Sequence, residues 1–404
     1  MTVYQMIGQS EAQGPAVGTK LAPDGRQWRV VLNGQASQVY MHGGLVNTNG
    51  QAIDVVGGRK PGYNTSYQST GFVPAVPNGP VPVGYAAALA MQGETPAGPG
   101  FFTFIGNQGE SVLFLDDDPA TQASSYSTGT PIWDGAVFML DELVRVHGYG
   151  NFKMPTIGWF HGASDKSMPR GQYRQIAGPV IQDYIDLHVS KLGLTTPPRL
   201  FLIQPVTSAV GPNPAEMAFD QVDIVRDMNG VLVAPSYGVP WLQSTDHPSI
   251  IAVIMHGGLY AWAAESPDDW SMLSPPAVTR SLDQIEIPIS MRADEDLIHD
   301  VGRWSAYGGD PAFAGWVAHG GGSITSLTVQ RDRVILGLSG TVSRVTYAHF
   351  NLDTAPHTVV ADANDVIVPI SRGNLRSNQT RAFSLRGIDV TLERWLPRLE
   401  VLVQ

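Results

Sequence analysis

The sequence contains no cysteine among its 404 residues. Disulfide bonds, zinc–thiolate sites and a cysteine nucleophile are therefore excluded. Charged residues are also scarce, at 15% of the chain, and acidic residues exceed basic ones to give a net charge of −11. Because no basic field or cluster of Lys and Arg would attract phosphates, a nucleic-acid partner is not expected.

Long apolar runs are absent as well. No stretch approaches the roughly 20 apolar residues that a membrane-spanning helix needs, so no membrane span is predicted. The N-terminus shows no basic segment followed by an apolar core, so no signal peptide is predicted. A G-x-S-x-G motif is also missing, which disfavours a lipase or peptidase built around that turn.

The first two-thirds of the chain alternates short apolar runs with segments of helical periodicity. The predicted strands are Val3–Ile7, Phe101–Ile105, Thr156–Phe160, Arg199–Gln204 and Gly230–Ala234. The predicted helices are Gly84–Met91, Val137–Gly148, Gln172–Leu192, Ala215–Met228 and Pro248–Glu265. This alternation predicts an α/β fold, with βαβ crossovers and a mostly parallel sheet covered by helices on both faces.

Two regions depart from the alternation. Residues 14–80 are rich in Gly, Asn, Gln and Thr and are predicted to form a long insertion of loops and short strands after the first strand. From about Ser266, period-2 patterns bounded by Gly, Asn and Asp predict antiparallel strands. We therefore predict an α/β domain over residues 1–270 and a sandwich-like β-rich domain over 271–404. The PPAV segment at 275–278 is the predicted linker, and no element is assigned over 271–322.

The first predicted strand ends in the short stretch GQSE at 8–11. In an α/β sheet, ligands gather at the carboxyl ends of the strands, which is where Ser10 would lie. A serine in an ordinary turn after Gly8 is the alternative interpretation of this stretch taken by itself.

The order of several further motifs favours the first interpretation. GQSE resembles the GQSN block of the SGNH/GDSL hydrolases, in the branch that contains sialate O-acetylesterases and related carbohydrate esterases. Four more blocks follow in the order of that branch: NGPVPVGYAAALA at 78–90, FFTFIGNQGES at 101–111, IGWFHGASD at 157–165 and STDHPSIIAVIMHGGLYAWA at 244–263. The resemblance implies a three-layer α/β/α fold of the SGNH type.

The resemblance also implies roles for individual residues in acyl transfer, which needs a nucleophile, a base and donors for the oxyanion. Ser10 would be the nucleophile, His247 its base, and Asp246 the nearest acid. The backbone N–H groups of Ser10 and of Gly84 or Gly109 would stabilise the oxyanion. His161 stands where the family has a glutamine and would add a side-chain donor.

Several positions differ from the family pattern. Glu11 replaces an asparagine and Ala163 replaces a glutamate, while the orienting acid of the family's D-x-x-H segment would fall on Ser244. Asp246 is adjacent to His247, and side chains of neighbouring residues usually diverge. Asp165 is the alternative orienting acid, and a Ser–His dyad without one is a further alternative.

A second D-x-x-H segment occurs later, as Asp296 and His299 in DEDLIHD, and is the alternative source of the acid and base. Oxygen ligands at alternating positions also suit a hard cation, so Asp294, Asp296 and Asp300 form a candidate calcium site.

The leading hypothesis is a serine esterase that removes acetyl or another small acyl group from a carbohydrate, with no metal or organic cofactor. The C-terminal segment resembles tails appended to SGNH-like proteins of bacteriophage particles. This resemblance implies a virion location, other virion proteins as partners, and O-acylated bacterial surface polysaccharide as the target. We also expect a homo-oligomer. The alternative hypothesis is a catalytically inactive, structural or glycan-binding protein of a phage particle with the same fold.

Overall fold

The computed structural model describes most of the chain. The described residues are 2–8, 39–42, 45–47, 52–53, 67–69, 72–74, 83–92, 100–106, 111–115, 132–205, 216–239, 250–304, 310–348, 373–385 and 387–404. Among them, no helix combines the length and apolar composition that a membrane crossing requires.

The α/β portion contains the predicted alternation of strands and helices. Its strands are β1 Thr2–Gly8, β2 Val39–His42, β3 Leu45–Asn47, β4 Ala52–Ile53, β5 Tyr67–Ser69, β6 Phe72–Pro74, β7 Gly100–Gly106, β8 Thr156–Phe160, β9 Arg199–Gln204 and β10 Val231–Pro235. The described helices are α1 Val83–Gln92, α2 Ile132–His147, α3 Gln172–Leu192, α4 Glu216–Asp227 and α5 Ile250–Glu265.

One seven-stranded sheet organises this portion, in the order β10-β9-β8-β1-β7-β2-β6. Neighbouring strands are parallel except for the antiparallel pair β2 and β6. The central strands β1, β8 and β9 are almost wholly buried, as expected for a parallel sheet that is covered on both faces. β2 and β6 belong to the predicted insertion, which also supplies the separate three-stranded sheet β4-β3-β5.

Helices cover the parallel sheet on both sides. Successive side chains of a strand point to opposite faces. Val3 and Ile7 of β1 therefore pack in one hydrophobic cluster with residues of α2 and α3, while Tyr4 and Met6 pack in another with residues of α1 and α5. The predicted α/β class and its three-layer α/β/α arrangement are confirmed.

The C-terminal region forms further sheets of mostly antiparallel strands. They contain β11 Ala277–Val278, β12 Gln284–Pro288, β13 Leu297–His299, β14 Trp316–Gln330, β15 Arg333–Tyr347, β16 Leu375–Leu385, β17 Ile388–Trp395 and β18 Leu399–Val403. One sheet has the order β11-β18-β15-β12 with β14 beside β15, and the other has the order β13-β16-β17. The separate antiparallel β region is thus confirmed, whereas its sandwich-like form stays a prediction.

Some element boundaries differ from the prediction. Helix α2 begins at Ile132 rather than Val137, because Trp133 packs against Tyr184 of α3 with ring centroids 4.7 Å apart. β15 continues through Gly340 without a break. Ala277 and Val278 of the predicted linker form β11, which pairs with Leu402 and Val403. The boundary near residue 270 stays a prediction, although one hydrophobic cluster includes residues from both sides of it.

Candidate active site

The carboxyl ends of β1, β7 and β8 meet at one place in the sheet. Gly8, the last residue of β1, is in register with Gly106 of β7 on one side and with Phe160 of β8 on the other. Ser10 follows Gly8 by two positions and lies outside the described residues. Gly8 therefore ends β1 between β7 and β8, at the edge of the sheet where α/β proteins bind ligands.

His161 immediately follows β8 at this edge, and its side chain is completely buried. Its Nδ1 atom lies 3.3 Å from the Tyr173 hydroxyl oxygen and 3.6 Å from Oδ2 of Asp165. The turn depends on Gly162, whose φ of +124° strongly disfavours a side chain. A Cβ atom there would also lie 2.5 Å from the Met217 sulfur.

Asp165 joins two of the loops at this edge. It ends the short 3₁₀ segment Ala163–Asp165, and only 2% of its side chain is exposed. Its Oδ2 accepts a hydrogen bond from the N–H of Val112, at 3.0 Å, in the segment that follows β7. The carboxylate therefore ties the β7 loop to the β8 loop and faces the imidazole of His161.

Tyr173, near the start of α3, connects these groups. Its hydroxyl oxygen accepts a hydrogen bond from Nε1–H of Trp159 at 3.0 Å and donates to the backbone oxygen of His161 at 3.3 Å. Gln221 Nε2 donates to the same backbone oxygen at 2.7 Å. Burial, with a smaller contribution from the nearby Asp165 carboxylate, raises the pKa of Tyr173 well above its usual value, so the hydroxyl is a neutral donor.

Helix α5 runs antiparallel to the parallel strands. His256 packs edge-on against Phe160 at the carboxyl end of β8, with ring centroids 5.4 Å apart. Tyr260, one turn later, donates its hydroxyl hydrogen to Thr156 Oγ1 at the amino end of β8. The helix therefore begins, at Ile250, on the carboxyl side of the sheet. His247 lies three positions before Ile250 in the sequence.

The structure describes some of the predicted site residues and not others. Ser10, Gly109, Asp246 and His247 lie outside the described residues, as do Glu11 and Ser244. Gly84 is the second residue of α1 and is buried. The structure brings His161 and Asp165 together, and both belong to the IGWFHGASD block at 157–165.

The alternative pair Asp296 and His299 lies in the C-terminal region. Asp296 forms an ion pair with Arg331 at 3.1 Å, and its N–H donates to Asn378. His299 is exposed and pairs with Leu375 of β16. These contacts offer no support for a catalytic pair, which stays a prediction.

The calcium hypothesis fails on the same segment. Asp300 is bound by Arg376 at 2.7 Å. The carboxylates of Asp296 and Asp300 thus face arginines. Within the part of the chain that the structure describes, no three acidic or histidine side chains converge as metal ligands would.

Sequence reasoning missed the residues that hold the site together. Tyr173 lies 12 residues and Gln221 lies 60 residues along the chain from His161, and no motif in the sequence marks either of them. It also missed a contact from the C-terminal region: the Gln204 side chain at the end of β9 accepts from the N–H of Arg398 at 3.0 Å and donates to the oxygen of Arg398 at 3.3 Å. The available signal was a polar residue that ends an otherwise apolar strand.

Comparison with known proteins supports the fold. No protein-family model matches the chain, and no curated protein matches its sequence. Among solved structures, the chain is similar to a carbohydrate acetylesterase from Xanthomonas citri, with a TM-score of 0.56 and 14% identity over 94% of this chain and 81% of that one.

Two other solved structures overlap less. One is a carbohydrate acetylesterase from Sinorhizobium meliloti, with a TM-score of 0.32 and 14% identity over 53% of this chain and 95% of that one. The other is the aryl esterase of M. smegmatis, with a TM-score of 0.30 and 14% identity over 52% of this chain and 94% of that one. The similarity to the Xanthomonas citri enzyme shows that this chain shares its fold.

Proposed function

We propose that this protein is a serine esterase that removes acetyl or another small acyl group from a carbohydrate. The observation that supports it best is the register of Gly8, the first residue of GQSE, with Phe160, the residue that precedes the buried His161. The likeness to a structure described as a carbohydrate acetylesterase agrees with this reaction class.

In the proposed reaction, the Ser10 hydroxyl attacks the ester carbonyl while a histidine takes its proton. The oxyanion is stabilised by backbone N–H groups, for which Ser10, Gly84 and Gly109 are the candidates. The acyl–oxygen bond then breaks, the alcohol of the sugar leaves with the proton, and water hydrolyses the acyl-enzyme. The family resemblance assigns the base to His247 and the orienting acid to Asp246 or Asp165.

The substrate class rests on the resemblance and on the name of the similar structure. An O-acylated bacterial surface polysaccharide is the substrate we propose, with a virion location and a homo-oligomeric state. Testing acetylated against deacetylated polysaccharide, and short against long acyl chains, checks the choice of substrate.

The first prediction concerns the nucleophile. Replacing Ser10 by Ala removes the only atom that forms the acyl-enzyme, and we expect the turnover of p-nitrophenyl acetate to fall by about 10³-fold or more. Ser343→Ala is the matched control, because Ser343 is exposed on β15 in the C-terminal sheet and should leave the rate unchanged.

Equal turnover by the wild type and Ser10→Ala would contradict the esterase. The protein would then be the structural or glycan-binding alternative, which glycan-array binding of the wild type would identify.

A further inference from the structure

We propose that the outer edge of β14 is the interface through which two copies of this chain pair, with their β14 strands antiparallel about a two-fold axis. This inference rests on the homo-oligomeric state proposed above and assigns a surface to it. The occupant proposed for the edge is a second copy of this chain. The esterase reaction is not needed for it.

β14 forms one margin of the larger C-terminal sheet. It pairs with β15 over its whole length, from Trp316 to Gln330. Among the strands that the structure describes, none pairs with the other edge of β14. Gly320 and Gly321 are exposed, and because glycine has no side chain, the exposed atoms there belong to the backbone. An edge strand of this kind presents unpaired N–H and C=O groups, which are a template for another strand.

The turn that follows β14 is already in contact with the rest of the C-terminal region. The Arg331 oxygen accepts from the Leu297 N–H at 2.7 Å, and the Arg331 side chain pairs with Asp296 at 3.1 Å. The open part of the edge therefore runs over residues 320–328. Thr325 is an extra residue in the ladder with β15. Because such a bulge increases the local twist, we expect the copies to pair over a short stretch of this edge.

The hydrophobic layer beneath the sheet is complete under β15 and incomplete under β14. Val334 and Leu336 of β15 are fully buried, whereas their partners Val329 and Leu327 on β14 are only partly buried. On the other side of β15, Ile287 of β12 pairs with Val334 and is fully buried as well. A further strand beside β14 would remove more of the apolar surface of Leu327 and Val329 from water.

The charge of the edge favours a second copy as its occupant. Each chain has a net charge of −11, so two copies repel each other over much of their surfaces. β14 contains no Asp, Glu, Lys or Arg, whereas β15, β16 and β17, the other described strands of eight residues or more, each contain at least two. β14 thus lacks the lysines, and also the prolines, that commonly prevent an edge strand from pairing.

The symmetry of the pairing agrees with this absence of charge. A two-fold interface uses the same surface of both copies, so each residue of the strand meets a residue of the identical strand. Like charges directly opposite each other destabilise a strand pair. An uncharged strand pairs with its own copy without this penalty.

The second prediction is that the full chain forms a dimer that lysines on the edge separate. Ser326→Lys/Thr328→Lys adds two positive charges to exposed positions of each β14. In the dimer these charges would lie about 5 Å from the facing strand, which carries the same lysines. We expect the Kd of the dimer to rise by about tenfold or more. Sedimentation velocity over a dilution series measures it.

Ser339→Lys/Thr341→Lys is the matched control. Both residues are exposed on β15, and the change adds the same charge at the same spacing. β15 lies one strand further from the axis in each copy, so the facing lysines would be about 15 Å apart, beyond the screening length of about 8 Å at physiological salt. We therefore expect a Kd within about threefold of the wild type. Wild-type melting temperatures in both variants would exclude an effect through unfolding.

A second readout uses the absence of cysteine from the chain. Single cysteines are introduced in turn along the open edge, and the oxidised samples are separated by non-reducing electrophoresis; the positions are Ser323, Thr325, Ser326 and Thr328. A disulfide needs Cα atoms within about 7 Å of each other. Antiparallel strands bring a residue opposite its own copy only at the two-fold axis, so crosslinking should peak at one position and decline on either side. Thr341→Cys on β15 is the control and should not crosslink.

The possible outcomes separate the proposals. A monomer at every concentration overturns the interface together with the homo-oligomeric state. A dimer that the edge lysines leave intact overturns the assignment of this surface, and so does crosslinking at Thr341 equal to that on β14. Equal crosslinking at all four edge positions overturns the antiparallel pairing. Turnover of p-nitrophenyl acetate by the wild type and Ser10→Ala tests the esterase separately, so either proposal can fail while the other stands.

Discussion

Two buried histidines flank the carboxyl end of β8 and have opposite surroundings. His161 contacts a carboxylate and a hydroxyl. His256 instead packs against Phe160, and its Nε2 lies 3.5 Å from Ser236 Oγ. No described residue hydrogen-bonds its Nδ1. Burial lowers the pKa of His256 to about 3, so it is a neutral core residue.

The third prediction follows from this burial. Between pH 6.5 and about 3, the unfolded chain protonates His256 and the folded chain does not, so stability is lost as the pH falls through that window. We expect His256 to account for about 3 kcal/mol of the unfolding free energy lost between pH 7 and pH 4. Urea titrations across this range should show a smaller loss for His256→Leu.

His188 also loses stabilising effect as the pH falls through this range, because burial lowers its pKa to about 4. Its hydrogen bond to the Tyr184 oxygen partly offsets that lowering of the pKa. His188→Leu should therefore also flatten the pH dependence, over the narrower range from 6.5 to about 4. An identical pH dependence in wild type and His256→Leu would contradict the neutral burial of His256.

Helix α5 shows how small residues position an element. A Cβ atom on Gly257 would lie 2.6 Å from Ala86 Cβ and 2.9 Å from the Ala87 backbone nitrogen, so α1 and α5 touch through their backbones. On Gly258, a Cβ atom would instead meet side-chain atoms of Phe383 and Leu392, 2.8 and 2.9 Å away. One helix thus packs tightly against α1 and, at the next residue, against the C-terminal sheets.

The fourth prediction compares these adjacent glycines. Gly257→Ala and Gly258→Ala gain the same helix propensity, about 1 kcal/mol. Gly257→Ala must push two backbones apart, and we expect a net loss of about 1–3 kcal/mol in the unfolding free energy. Gly258→Ala displaces side chains that can rotate, so we expect a smaller loss of unfolding free energy. Urea denaturation measures both, and a loss no larger in Gly257→Ala would contradict the backbone contact.

At the scale of the whole molecule, the C-terminal region is bound to the carboxyl edge of the parallel sheet. The Gln204 side chain holds the backbone of Arg398, and the Tyr237 hydroxyl donates to the oxygen of Leu396. Arg170, in the loop before α3, pairs with Glu400 of β18 at 2.8 Å and with Asp223 of α4 at 2.6 Å. The shared hydrophobic cluster continues beneath these contacts.

The fifth prediction is that residues 1–270 and 271–404 unfold together. Calorimetry of the full chain should show one cooperative transition, because separating the two regions exposes their common core. Gln204→Ala removes the side chain that accepts from the N–H of Arg398 and donates to the backbone oxygens of Arg398 and Ala218. We expect the melting temperature of the single transition to fall by several degrees.

Arg381→Ala is the matched control for this change. It removes an exposed ion pair with Glu265 that also joins α5 to the C-terminal region, and exposed pairs contribute little to stability. Two separate transitions in the wild type would contradict the shared core and support independent domains.

The sequence by itself determined the order and type of the elements in the α/β portion. The apolar runs at residues 3–7, 156–160 and 199–204 became β1, β8 and β9 because a strand buried on both faces needs an apolar side chain at nearly every position. The α/β class and the separate antiparallel sheets followed from the same local patterns, and the order of the five motifs indicated the SGNH-like architecture.

Only the tertiary structure decided which groups meet. His161 and Asp165 are four residues apart, yet their contact depends on the turn at Gly162 and on Tyr173, Gln221 and Val112 from three other segments. The docking of Arg398 on Gln204 joins residues 194 positions apart. Local periodicity reports which face of an element is apolar, but such long-range pairs depend on how the elements pack, and no local pattern encodes that.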